Sequence, residues 1–212
     1  MWDLFVLVWV MDYLCDTVDV PLILGGPVVD PEVMCDASFG IMRECRSVKS
    51  HMLRTCSGSG AIYTNVRTIK IAVKSIFEPE LLACSDGIDT MLYANNVLAE
   101  LGYSSEGSKE VATDNSATMH WIRGSVSNSR SRHIDTRIYN ARHHERDGNV
   151  RVKYVPTDEN TADILTKPLS HKLFAKHARA ILGHELVSGI SISGLIPPEV
   201  QAEVKTSDAQ HE

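Results

Sequence analysis

The sequence predicts a mixed α/β sheet, parallel in part, with helices on its faces. Three observations predict it. Short apolar or alternating runs of strand length recur along the chain, several bounded by Gly, Ser or Pro. Long helical repeats separate the later runs, so the last two strands are reached by helical crossovers. With 212 residues, 43% of them hydrophobic, the chain can bury one sizeable core and still carry extra pieces at its ends.

The elements follow in order. Residues 1–10 are apolar but contain Asp3 and lack a basic lead-in. They are too short to span a bilayer and make a poor signal peptide, so they read as a helix or strand that packs on something. Residues 11–24 read as a helix end running into a short strand, closed by Gly25-Gly26-Pro27. Residues 32–39 look like a buried strand, followed by a polar loop carrying Arg43, Glu44, Arg46 and Lys49. Extended segments are expected at 50–56 and 61–66, either side of Ser57-Gly58-Ser59-Gly60, and 68–73 alternates with the period of a half-buried strand.

Pro79 suits a first helical position. After it Leu81, Leu82, Ile88, Met91, Leu92, Val97, Leu98 and Leu101 recur at helical spacing, and Gly102 closes the helix. A brief strand at 110–113, a short helix at 115–122 and an amphipathic helix at 130–147 come next, the last stopped by Gly148. Residues 149–155 alternate again up to Pro156, and helices are expected at 160–166 and 171–182. From 187 onward Ser, Gly, Pro and acids dominate, as in a mobile tail.

Charge is unevenly spread. The formal net charge of −6 argues against a general nucleic-acid binder, yet the first 36 residues hold seven acids and no Lys or Arg. Between Arg123 and Lys153 there are eight Lys or Arg against three acids. Such a basic stripe is either a phosphate-binding surface or simply a solvated helix face. The five cysteines form no C-x-x-C pair and no regular spacing, which argues against a zinc site or disulfide framework and for a reducing compartment.

Four acids stand where a metal-dependent nuclease would need them: Asp36 in an apolar run, Glu80 (beside Glu78) at a helix start, Asp114 after a short strand, and Asp163 at another helix start. A sheet of this kind can bring them together at one end. Hard oxygen donors suit a pair of Mg²⁺ or Mn²⁺ ions, and such a pair can cut a phosphodiester. Each acid also has an ordinary reading. Asp114 before Asn115 could be a cap, and Asp163 a first-turn acid facing its helix dipole. Asp36 is harder to dismiss, because a buried carboxylate needs a partner. Trp121 reads as core, and the adjacent His143 and His144 as surface.

Several stretches resemble the ribonuclease H domain of copia-type retrotransposon polyproteins. They are Cys35-Asp36-Ala37-Ser38-Phe39-Gly40, Lys74-Ser75-Ile76-Phe77-Glu78-Pro79-Glu80-Leu81, Thr113-Asp114-Asn115-Ser116-Ala117 and Arg132-His133-Ile134-Asp135-Thr136-Arg137. The most specific is Tyr154-Val155-Pro156-Thr157 leading into Ala162-Asp163-Ile164-Leu165-Thr166-Lys167-Pro168-Leu169. The resemblance covers roughly 30–182, and Phe77 and Pro79 depart from the family's usual Thr and Ala. It implies a ribonuclease H-like mixed five-stranded sheet flanked by helices, over residues 30–184. Residues 1–29 would be a remnant of the connection after the polymerase, and 185–212 a flexible tail. On this resemblance Asp36, Glu80, Asp114 and Asp163 are the catalytic, metal-binding acids for two Mg²⁺ or Mn²⁺ ions. Asp36 would bridge the ions, and Glu80 is chosen over Glu78 because the family's Glu immediately precedes Leu. Arg132, His133 and Arg137 would meet nucleic-acid phosphates.

The implied activity is hydrolysis of the RNA strand of RNA–DNA hybrids during reverse transcription. The implied partners are the hybrid and a polymerase domain that this chain lacks, with no membrane. The setting would be cytoplasmic, or else a virus-like particle or the nucleus. The rival reading is an inert remnant of such a polyprotein that at most binds nucleic acid through the basic stripe. A DNA-cleaving recombinase of the same fold fits the Tyr154 to Leu169 signature less well.

Overall fold

The computed structural model describes residues 2–26, 29–41, 45–71, 73–103, 109–124 and 136–184. Its elements are helix α1 (Trp2–Asp16), strands β1 (Glu32–Ser38), β2 (Val48–Arg54) and β3 (Ala61–Thr68), and the long helix α2 (Phe77–Glu100). Strand β4 (Lys109–Thr113), helices α3 (Ser116–Ile122) and α4 (Thr136–Arg146) and strand β5 (Val150–Tyr154) follow. Two 3-10 turns (Thr157–Glu159 and Thr161–Leu165) lead into α5 (His171–Leu182).

The five strands form one sheet in the order β3-β2-β1-β4-β5. The first three make an antiparallel meander, and β4 and β5 add to β1 in parallel through helical crossovers, as the sequence predicts. Register determines what meets what. Cys35 of β1 lies opposite Thr113 of β4, so the residues that follow them, Asp36 and Asp114, come out at the same level of neighbouring parallel strands. At the other end of β1 Glu32 faces Arg54 of β2.

Alternation along the central strands builds a core on each face. Val33, Cys35, Val111, Val150 and Val152 pack with Leu81, Cys84, Ile88 and Met91 of α2 and with Trp121 and Ile122 of α3. Helix and sheet come so close at Gly87 that a Cβ there would collide with the Cys35 Sγ. On the opposite face Met34, Met52 and Ala112 lie beneath Val155, Ala162, Leu165 and Ile181, so the second 3-10 turn and α5 close that side.

Four expectations change. Residues 69–71 are not strand: Ile69 drops into the core while Ile71 is exposed, and the backbone N–H of Ile69 donates to Ser47 O at the end of the sheet. The expected helix at 160–166 is a 3-10 turn, since Asp163 N donates to Asn160 O and Thr166 N to Asp163 O, each three residues back. Helix α2 starts at Phe77, which puts Pro79 in the first turn, where its missing N–H costs nothing.

At the N-terminus the helix runs from Trp2 to Asp16, and the expected strand after it is absent among the described residues. Instead the extended segment around Ile23 threads between two glycines: Ile23 N donates to Leu182 O (2.8 Å) and Gly60 N donates to Ile23 O (2.8 Å). Gly183, at φ 76°, has no room for a Cβ against this strap. Leu4, Leu7, Val8, Val10, Met11 and Leu14 of α1 stay exposed. None of the described helices is long and apolar enough to cross a membrane. The tail at 185–212 lies outside the described residues.

Candidate metal centre

The end of β1, the start of α2, the end of β4 and the second 3-10 turn converge. Asp36, Glu80 and Asp114 each offer a carboxylate oxygen within 4.8 Å of the others'. Asp36 is 0% and Glu80 6% exposed, while Asp114 is half-buried. Local structure explains why these side chains are available. The cap of α3 is Asn115, whose side chain accepts from Thr118 N (2.9 Å), so Asp114 is spared the capping role. Glu78 accepts from Lys74 N (2.9 Å) and steadies the turn before α2, whereas Glu80, two residues on, faces the sheet.

Asp163 approaches from the other face of the sheet. Its 3-10 turn is capped by Asn160, which is itself fully buried and donates from Nδ2 to Cys35 O (3.0 Å). Ser38 Oγ donates to Thr166 O (3.0 Å), and Thr166 Oγ1 donates to Asp36 Oδ2. The turn is thereby stitched to β1 on both sides of Asp36. Asp163 does not join the close triad. Lys167 stands between instead: its Nζ is 2.9 Å from Asp36 Oδ1 and 3.1 Å from Asp163 Oδ1.

The charges are unbalanced. Burial, then the charges of Asp36, Cys84 and Asp114, push Glu80 up to about 9, against a slight pull from Lys167. Glu80 Oε2 is buried with no hydrogen-bond partner. Burial and the charge of Asp36 raise Asp163 to about 7, with Lys167 drawing it back. Burial alone would lower the Lys167 ammonium, but its bonds to Asp36 and Asp163 outweigh that and hold it above its ordinary range. A buried carboxylate oxygen with no donor, inside a cluster of three hard oxygen ligands, suits a divalent cation such as Mg²⁺ or Mn²⁺.

Asn160, Thr166 and Lys167 are members of the site that reading the sequence for acids leaves out. Asn160 carried a signal, an Asn directly before a helical run. Thr166 and Lys167 lie inside the most specific stretch of the sequence, but their contact with Asp36, 130 and 131 residues away, needs the fold.

The basic stripe looks different in three dimensions. Arg123 donates to Val152 O and pairs with Glu145, Arg142 stacks over Trp121 at 4.0 Å, and Lys153 pairs with Glu110. Several of its charges thus hold α4 against α3 and β5. Arg132 and His133 lie outside the described residues, as does the side chain of Arg137, whose backbone is in α4. Trp121 is core, and His143 is exposed beside Asp147.

No protein-family model matches the chain. Over 166 residues, 78% of this chain, it is 28% identical to the retrovirus-related Pol polyprotein from transposon TNT 1-94 of Nicotiana tabacum. It is 30% identical over 112 residues, 53% of this chain, to that from transposon RE2 of Arabidopsis thaliana. The matches span 12% and 8% of those relatives. Among solved structures, a ribonuclease H1 isolated from compost by a metagenomic approach superimposes with a TM-score of 0.51. It shares 12% identity and covers 66% of this chain and 94% of its own.

Proposed function

We propose that this chain, a homologue of the Pol polyproteins of plant copia-type retrotransposons with a ribonuclease H fold, hydrolyses the RNA strand of RNA–DNA hybrids. The observation that carries the reading is the triad of Asp36, Glu80 and Asp114, together with the buried, unpartnered Glu80 Oε2. Asp36, Glu80, Asp114 and Asp163 would hold the metal, as two ions of Mg²⁺ or Mn²⁺. Bound there, divalent ions supply an activated water and stabilise the departing 3′ oxygen.

The protein's own residues set the conditions. Glu80 must give up its proton before it can act as a ligand, and since burial and its neighbours hold that proton up to about 9, metal affinity rises with pH. Thr166 donates to one oxygen of Asp36 and Lys167 to the other, which fixes the Asp36 carboxylate in place. Asn160, bonded to the carbonyl of the residue before Asp36, holds the 3-10 turn and hence Asp163 at the edge of the site. Choice of RNA over DNA would come from donors and acceptors reading 2′-hydroxyls across the wide minor groove of a hybrid. A polymerase domain elsewhere in the longer relatives would supply that hybrid.

The test is Mg²⁺- or Mn²⁺-dependent cleavage of an end-labelled RNA–DNA hybrid by the purified chain, with Asp114→Asn as control. Products with 5′-phosphate ends that vanish in the variant are expected. A chain that is folded by circular dichroism, binds hybrid and never cuts it would instead be an inert remnant of a polyprotein.

A further inference from the structure

We infer that Lys167 is a built-in cation of this site. It fills the Asp36–Asp163 side, so that the protein takes one divalent ion readily through Asp36, Glu80 and Asp114. A second ion enters only when the ammonium leaves. This inference rests on the metal-binding reading above.

The geometry divides the site in two. On one side three carboxylates lie within 4.8 Å of one another, and the Glu80 Oε2 among them has no partner. On the other side the Lys167 ammonium joins the carboxylates of Asp163, 1% exposed, and Asp36, at 3.1 and 2.9 Å. A divalent ion held by both Asp36 and Asp163 would face the Lys167 ammonium, a like charge, at contact distance. The two cations therefore exclude each other.

The lysine is placed, not incidental. Lys167 N donates to Asp163 O (3.0 Å), and the preceding Thr166 is tied through its hydroxyl to Asp36 and through its carbonyl to Ser38. That backbone position puts a four-carbon stem within reach of both acids. The side chain is still about one-third exposed, so it can swing out to solvent without unpacking the turn. Lys167 is thus a positioning residue that sets how many ions the site holds; it is not assigned a part in bond cleavage.

The test counts Mn²⁺ ions on the full chain, stripped of metal, by calorimetric titration and equilibrium dialysis near neutral pH. The unmodified protein should bind one ion tightly and a second at least about tenfold more weakly, the smaller end of the range by which a residue touching metal ligands shifts affinity. In Lys167→Gln the second step should tighten toward the first, while Lys167→Arg, which keeps the charge, should restore the weak second step. A lysine that merely braced the turn would weaken both steps together, and Lys167→Arg would not then differ from Lys167→Gln in stoichiometry. The unmodified protein needs no variant to sink the idea: two equally tight ions would overturn it and leave the nuclease reading standing. Failure to bind Mn²⁺ at all would remove both.

Discussion

The two ends of strand β1 treat buried charge in opposite ways. At its start Glu32 lies directly across from Arg54, and the two pair, with Lys153 also close to the Glu32 carboxylate (3.9 Å). Near its finish Asp36 lies across from Ser50, and the nearby charges are three more acids and one lysine. The same sheet therefore satisfies a buried ion pair at one end and leaves an acid surplus at the other. Folding alone does not demand that surplus, since burying unmatched carboxylates is costly. It is the pattern that the proposed cation site would require.

Substitutions at the two ends should act on different properties. The largest effect is expected at the surplus end. Asp36→Asn should reduce hybrid cleavage by more than about 100-fold, exceeding the loss usual for residues one layer out from a metal, with little change in melting temperature. At the matched end the effect should fall on stability. Glu32→Ala removes the carboxylate that Arg54 pairs with and should cost about 3 kcal/mol in urea unfolding; a cost near zero would show that the pair is solvated. In contrast with Asp36→Asn, the surviving folded fraction should still bind Mn²⁺.

Acidity sharpens the contrast. Glu80 holds its proton in the fold up to about 9 against an ordinary 4.5, so the folded state binds the proton more tightly than the unfolded one. Its contribution is whole below about 4.5 and is lost as pH climbs through about 9. The melting temperature of metal-free protein should therefore fall across that window. Glu80→Gln should flatten the slope, and saturating Mg²⁺ should reverse it in the unmodified chain only.

His51, midway along the ladder and opposite Cys35, has the opposite sign. Burial, more than its charged neighbours, lowers it from 6.5 to about 4, and it sits against the Thr90 hydroxyl at 2.9 Å. Stability is whole above 6.5 and is lost as pH falls toward 4, by at most about 3 kcal/mol. His51→Gln should weaken that acid dependence without touching metal binding.

What the sequence makes legible follows from the range of each interaction. Strand β1, helix α2 and helix α5 are written in local periodicity, and α5 runs from His171 to Leu182 as read. Residues 69–71 show where periodicity misleads: a connector that tucks Ile69 inward and leaves Ile71 outside alternates as a strand does. The 3-10 turn at Thr161–Leu165 carries a helical pattern, and only its three-residue hydrogen bonds separate it from an α-helix. Arg54, a poor core residue on its own, makes sense once Glu32 is placed opposite it. The acids could be picked out because their chemistry is plain in single letters. Their division by Lys167 could not, because it depends on a contact across 131 residues.

The strap at Ile23 bears on anyone who would cut this protein down. A boundary set at residue 30, where the recognisable sequence starts, would strip a backbone partner from Gly60 and another from Leu182, and would remove Pro21, whose carbonyl meets the His184 ring. The shortened product would begin with a frayed seam beside α5, the helix that roofs the face from which Asp163 enters. An expression boundary placed before Val20, which packs against Ala175 and Ala178 of that helix, would keep the seam closed.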